Sequence, residues 1–340
     1  MRMTKRIAFA GNMLVDNVKT ISALPEKGML ASILSMSRAV GGSVCNTSID
    51  MKVMDSSVSV AALGKVGADD AGEFIVKELE SRGIDCSHVI RDSSRPTSFT
   101  DVMTLASSGE RTFFNMRGAD SALRPEDVDL DVVSSCDHFH LGYLLLLDGL
   151  DAEDDEYGTK AARLLARVRD MGVTTSIDMV SEQSDRAARI VRPVLRHCDY
   201  LIVNEIEGSQ ITGIPCHCGD GKTSVSAMSR VAEALVDMGV RRKVVLHCPE
   251  FSLSRSAAGA VEVVPSFIIG PELIKGTVGA GDAFCAGVLY AALSEWSDEM
   301  GLRLGSCSAA ANLFASDSVS GALPLESLLA MERRFCRRVV

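Results

Sequence analysis

Along the chain, short apolar runs alternate with longer stretches in which apolar residues recur every three to four positions. Ile7–Ala10, Val58–Ala62, His138–Leu141, Val173–Ile177, Tyr200–Val203 and Val244–His247 read as short buried strands. Between them lie helical stretches. Asp69–Arg82 opens on acidic residues and stops at Gly83; Thr159–Met171 stops at Gly172, and Val225–Met238 at Gly239. Strand–helix–strand alternation of this kind predicts a mainly parallel sheet with helices on both faces, a doubly wound α/β fold.

Two regions break the rhythm. Val15–Ile21 and Leu30–Val40 follow each other across a Pro25/Gly28 turn with no helix between them. Ser98–Leu105 and Glu110–Met116 flank Ser107-Ser108-Gly109, which is hairpin chemistry. These four strands can pair into one small β-sheet lid formed by about 13–40 and 96–117, or stand as two unrelated surface hairpins. After Pro271 the pattern is almost wholly helical, over Ala280–Leu293, Leu302–Ala315 and Leu325–Phe335. No internal repeat and no interdomain linker divides residues 1–340, which read as a single domain.

Composition narrows the class. The chain is 46% hydrophobic and 24% charged, as expected of a globular enzyme, and its net charge of −10 is spread thinly. That balance offers no basic face for nucleic acid. The cluster Arg333, Arg334, Arg337, Arg338 reads as a solvated helix end. Ile7–Ala10 is too short for the core of a signal peptide, and no run approaches a membrane span. Ten cysteines scattered among apolar neighbours read as reduced thiols, so cytoplasm is the expected compartment. Cys216-His217-Cys218 lacks the repeated paired spacing of a zinc ribbon and reads as a loop.

The strongest chemical signal is GTVGAGDAFCAG, Gly276 to Gly287. Ala280, Phe284, Gly287, Val288 and Ala291 keep helical spacing, so a helix starts inside the glycine stretch. Backbone N–H groups there can approach an anion, and the helix start adds partial positive charge. An aspartate in that first turn, Asp282, suits a base that takes the proton of an attacking hydroxyl; in isolation it reads equally as an acidic cap. The Gly-Lys-Ser/Thr of a P-loop does not follow these glycines, and Phe284 stands where a dinucleotide fingerprint needs its third glycine.

Three further signals stand elsewhere. Gly41-Gly42 precede a helical stretch carrying Asn46. Asn204 and Glu207, just after the strand Tyr200–Val203, face one side of a helix turn and suit a hydrated magnesium ion; capping of a helix over 205–212 is the plainer alternative. Gly11-Asn12 and Asp16 follow the first strand, where Asp16 can accept hydrogen bonds from two neighbouring hydroxyls.

In this order, GNMLVD, GGSVCN, Asn-x-x-Glu and GTVGAGDAFCAG resemble the ribokinase-like (phosphofructokinase-B type, PfkB) family of carbohydrate kinases over nearly the whole chain. The resemblance implies a doubly wound domain with a small β lid, using ATP and Mg2+ to phosphorylate a hydroxymethyl group of a sugar or, alternatively, a nucleoside. It implies Asp282 as base and the N–H groups of Gly279, Ala280 and Gly281 as anion hole. Asn12, Asp16, Gly41, Gly42 and Asn46 would hold the sugar; Asn204 and Glu207 would organise metal and phosphates, joined by Thr277 at the nucleotide. Adenine is expected between the segment around Ala257–Gly259 and the helix containing Asn312.

Two departures stand out. Gly276 replaces the family's aspartate, which in cation-activated members helps hold a monovalent cation, so a K+ requirement is open. His247-Cys248-Pro249-Glu250-Phe251 replaces the family's usual Gly-x-x-Gly. Loss of Gly276's counterpart motivates a non-catalytic binding protein as the rival from another class; a dinucleotide-dependent oxidoreductase is the more distant one. Arg38 and Arg117 could meet an anionic substrate or be solvated. Exposed Met29, Ile33 and Met36 on the lid are expected to pair in a homodimer.

Overall fold

The computed structural model describes residues 4–216 and 223–340. In chain order, β1 (Arg6–Gly11), β2 (Leu14–Ile21) and β3 (Ile33–Gly41) lead into α1 (Ser43–Met54), β4 (Ser59–Gly67), α2 (Asp70–Ser81) and β5 (Val89–Asp92). The hairpin β6 (Ser98–Leu105) and β7 (Arg111–Met116) precedes α3 (Leu130–Ser134), β8 (His138–Leu144) and α4 (Asp148–Asp151). A two-residue pair, β9 (Glu153–Asp154) and β10 (Gly158–Thr159), leads to α5 (Lys160–Asp170), β11 (Thr174–Met179) and α6 (Ala187–Leu195). Then come β12 (Tyr200–Asn204), α7 (Glu205–Thr212), α8 (Val225–Asp237), β13 (Lys243–His247), β14 (Phe251–Ser256) and β15 (Val261–Pro265). Three helices close the chain: α9 (Ala280–Leu293), α10 (Asp298–Asn312) and α11 (Leu325–Arg334).

Among the described residues the main sheet runs β15-β14-β13-β12-β11-β8-β1-β4-β5. The seven strands from β13 to β5 are parallel, and β14 and β15 add an antiparallel edge. Alternate side chains of one strand feed two cores. Ala8 and Ala10 pack with α5, α6 and α8, whereas Ile7 and Phe9 pack with α1, α2, α9 and α10. Burial on both faces is why these strands read as apolar runs.

Helix starts and stops are set locally. The side chains of Asp69, Thr159 and Ser224 accept from the N–H groups of Gly72, Ala162 and Ala227. Gly83, Gly172 and Gly239 close the three helices at φ of 76°, 82° and 121°, where a side chain would be strained. The α10 helix begins at Asp298, a turn before the expected Leu302, because Ser297 caps Met300. The β14–β15 hairpin carries no apolar run in sequence, since Ser252 and Ser254 are as buried as Phe251 and Leu253.

The small sheet has the order β3-β2-β6-β7. Its strands come from the two expected segments, and β2 and β6 pair in parallel from Leu14↔Ser98 to Ile21↔Leu105. No described helix is long and apolar enough to cross a membrane. Of the Cys216-His217-Cys218 loop, His217 and Cys218 lie outside the described residues.

Candidate active site

The site lies at the carboxyl edge of the main sheet, where ligands of doubly wound folds bind. Gly279 caps α9 in the left-handed region, at φ 82°, and a Cβ there would lie 2.5 Å from the carbonyl oxygen of Ser318. Only glycine lets the chain turn so tightly against that loop. Asp282 follows in the first helical turn, 4% exposed. Two donors converge on its Oδ2: Asn46 Nδ2 at 2.8 Å and the Tyr143 hydroxyl at 2.9 Å. Burial, then the charge of Asp178 and more weakly that of Asp16, push the Asp282 carboxyl up to about 7; the Asn46 and Tyr143 hydrogen bonds oppose them. In the adjacent loop the Ala280 N–H turns back to the Thr277 carbonyl at 3.3 Å.

The residues expected to hold a sugar stand where the small sheet meets α1. Gly42 turns into α1 at φ 88°, and a Cβ there would run into Asn12 Oδ1. Gly41 lies under Asp16 in the same way, its missing Cβ making room for the Asp16 carboxylate. Burial raises Asp16 to about 7, against a Thr100 hydrogen bond and the nearby charge of Arg111. Asn12 donates from Nδ2 to Asp120, a buried carboxylate that also accepts from Ser98 and from the Met13 N–H.

Asn204 and Glu207 form a reciprocal capping box on α7. The Glu207 N–H donates to Asn204 Oδ1, and the Asn204 N–H to Glu207 Oε2, both at 2.9 Å. Ser181 donates to Glu207 Oε1 at 2.7 Å, and Asn204 Nδ2 donates to Ser181. The capping and ligand-binding readings are thus not exclusive, since the same pair lines a cavity of about 250 Å³ shared with Asp178, Gly279, Gly281 and Asp282. Burial pushes Glu207 up to about 8.

A second, more apolar cavity of about 450 Å³ opens on the other side of His247. Phe267, Ile269, Phe284 and Leu313 wall it, and Thr277 and Gly281 border it. It could hold a planar ring. Ala257–Gly259 lies outside it, forming the β14–β15 turn: the chain reverses through hydrogen bonds from Gly259 to Ser256 and from Ala260 to Ser256. Asn312 stands behind the wall, its Nδ2 donating to the Ser318 carbonyl at 2.8 Å, while Ala309, Ala310 and Leu313 of the same stretch face the cavity. Arg338, from the basic cluster read as a solvated helix end, lines it too.

Several participants escaped the sequence reading. Tyr143 and Asp178 stand near the carboxyl ends of β8 and β11, but apolar residues follow each of them, so no local pattern marks either. Ser318 binds both Asn46 Oδ1, at 2.9 Å, and the Val40 carbonyl, but nothing local marks it. Arg111 of β7 donates to the Ser316 carbonyl at 2.9 Å, and its Nη2 lies 3.4 Å from where a Cβ of residue 276 would stand. Arg117 pairs with Asp148 at 2.5 Å, whereas Arg38 is exposed and lies over the Phe74 ring. Gly221-Lys222-Thr223 matches the end of a P-loop, but Cys216 stands where that motif begins with glycine.

The family model for pfkB family carbohydrate kinases matches residues 5–324. The chain belongs to this family. Among pfkB relatives, a 5-dehydro-2-deoxygluconokinase of Geobacillus thermodenitrificans is 25% identical over 298 residues, 86% of this chain and 83% of that protein. An ATP-dependent ribose-1-phosphate kinase of Halopiger xanaduensis is 26% identical over 88% of each chain. The ribokinase of Arabidopsis thaliana, solved with ribose and ATP, superimposes with a TM-score of 0.79 at 21% identity, covering 97% of this chain and 99% of that one. That likeness carries the ribokinase-like fold. This pfkB chain is a carbohydrate kinase, and the resemblance read from its four motifs is a true kinship.

Proposed function

We propose that the chain transfers the γ-phosphate of ATP to a hydroxymethyl group of a sugar or sugar-like substrate, with Asp282 as general base. The observation that carries this reading is the buried Asp282 carboxylate, held by Asn46 and Tyr143 at the start of α9 on the wall of the smaller cavity. Asp282 takes the proton of the substrate hydroxyl as its oxygen bonds to the γ-phosphorus, the bond to the β-phosphate oxygen breaks, and ADP leaves. N–H groups of Gly279, Ala280 and Gly281 face the transferring phosphate, the Ala280 N–H by giving up its long bond to Thr277. Asn12, Asp16, Gly41 and Gly42 hold the sugar, and the small sheet serves as its lid. The adenine takes the apolar cavity beside Phe284 and Leu313, with Thr277 at the phosphates.

Asn204 and Glu207 fit Mg2+ through its water. Their oxygens are hard donors, and the direct lone pairs of both side chains already serve the capping box and Ser181. A magnesium ion supplies charge neutralisation at the phosphates when bound. The Arg111 guanidinium beside Gly276 puts a protein cation near the family's aspartate position, so we assign no K+ requirement.

The experiment is an ADP-release screen with MgATP over fructose, ribose, ribose 1-phosphate, 5-dehydro-2-deoxygluconate and nucleosides, in K+ and in tetramethylammonium. Turnover of a sugar at similar rates in both salts is expected. Tight binding of a sugar with no ADP release from any would make the chain a non-catalytic binding protein, and a nucleoside as best substrate would move it to the nucleoside kinases.

The exposed apolar face of the small sheet, with Ile33 at 55% exposure, Met36 at 71% and Phe114 at 53%, supports a homodimer through the lid. Light scattering at micromolar concentration should give twice the chain mass; a monomer would contradict it. The burial of Cys45, Cys285 and Cys307 among apolar side chains supports the cytoplasm as its compartment.

A further inference from the structure

The carboxyl end of β8 carries an unusual backbone. Tyr143 is a bulky residue at φ 59°, in the left-handed region, and Leu145 follows at φ 83°. Side chains are strained there, and such strain persists only where surrounding structure holds it. Here Asp178 does the holding. Its Oδ1 accepts the Tyr143 N–H at 2.5 Å, and its Oδ2 is fixed by Ser43 Oγ at 3.2 Å and His140 Nε2 at 3.3 Å. His140 is oriented in turn by Ser176, 2.8 Å from its Nδ1. Gly142 keeps the approach open, because a Cβ there would collide with Ser43. The result of this chain of contacts is one distance: the Tyr143 hydroxyl stands 2.9 Å from Asp282 Oδ2.

Asn46 Nδ2 meets the same oxygen at 2.8 Å. Asp282 Oδ1 carries no hydrogen bond among the described residues, so the two carboxylate oxygens are unequal. We propose that Tyr143 is a positioning residue of the phosphoryl transfer: with Asn46 it fixes Oδ2 as an acceptor and thereby leaves Oδ1 as the atom that receives the substrate proton. The strained turn is the device that aims the hydroxyl, and Asp178 is its support. The inference rests on Asp282 being the base.

Several groups face Asp282 from neighbouring elements: Asp178 from β11, Asp16 from β2, Asp50 from α1 and Cys285 from its own helix. The carboxylates raise its affinity for a proton, whereas the Tyr143 and Asn46 donors lower it. Removing the hydroxyl therefore raises that affinity, while a ring kept in place leaves packing alone.

The test compares wild type, Tyr143→Phe and Asp282→Asn in two measurements. The first is the pH dependence of kcat and KM with MgATP and the best sugar of the panel above. The second is a carbon-13 titration of the labelled aspartate carboxyls, with Asp282 assigned by its absence in Asp282→Asn, which needs no substrate. For Tyr143→Phe we expect kcat to fall between about tenfold and a hundredfold, the worth of one hydrogen bond to a charged group. KM should change less than about threefold, and both the acid limb and the carboxyl titration should move to higher pH by on the order of half a unit or more. An unmoved titration and an unchanged kcat in a folded Tyr143→Phe protein would overturn the inference. Full activity of Asp282→Asn would instead remove the base on which it rests.

Discussion

The Asp282 carboxyl titrates near neutrality because burial and the charges of Asp178 and Asp16 oppose its ionisation, and that position has consequences for rate and for stability. A base must be ionised to work, so kcat/KM should fall about tenfold per pH unit below roughly pH 7. A profile flat down to pH 5 would contradict this. The linkage runs the other way for stability. A carboxyl pushed up to about 7 in the fold, well above the ordinary carboxylate range, binds its proton more tightly in the native state; stability is full at low pH and is lost as pH rises through that window. Asp282→Asn should therefore melt higher than wild type at pH 8, by about 2 °C or more, with the gain vanishing near pH 4. Thermal denaturation at the two pH values checks it. Gly279→Ala belongs to the same scale. Its φ of 82° and the Ser318 carbonyl against any Cβ predict a loss of roughly 1–3 kcal/mol and at least a tenfold drop in kcat, read by denaturant titration and steady-state assay. Asp282 and Asn46 were legible in sequence because glycines before a helix leave a mark in the chain; Tyr143 and Asp178 were not, because what brings them together is strand register and a strained turn.

The four-stranded small sheet joins segments that are distant in sequence, and its parallel β2–β6 pairing holds them in one piece. Its far end is tied down by Arg111, which reaches from β7 to the Ser316 carbonyl beside the loop that leads into α9. If the sheet closes over the sugar, this contact favours the closed position. Arg111→Ala should then raise KM for the sugar by roughly three- to tenfold, and an unchanged KM would remove the latch. Hairpin chemistry made β6 and β7 readable, and the Pro25/Gly28 turn did the same for β2 and β3. Their mutual pairing rests on backbone hydrogen bonds that no sequence pattern encodes. The β14–β15 hairpin was missed for another reason: its serines are buried at the edge of the core, so neither period nor polarity reveals it.

Across the whole molecule, two cores flank a sheet in which five parallel strands deliver polar residues to one edge: Asn12 after β1, Tyr143 in β8, Asp178 in β11, Asn204 in β12 and His247 in β13. The apolar interior that makes the strands recognisable also sets the point where polarity begins, and so the site. The apolar pocket assembled from Phe267, Phe284, Leu313 and Arg338 was not legible, because residues so far apart in the chain leave no linear signature. We propose Asp282 as the base with which this pfkB chain phosphorylates a sugar. Single-turnover phosphorylation of its best sugar by Asp282→Asn, at pH 8 with saturating MgATP, tests it most directly. A fall of on the order of 10²–10⁴ in rate is expected with ATP binding and folding intact, and a rate within about threefold of wild type would rule Asp282 out as the base.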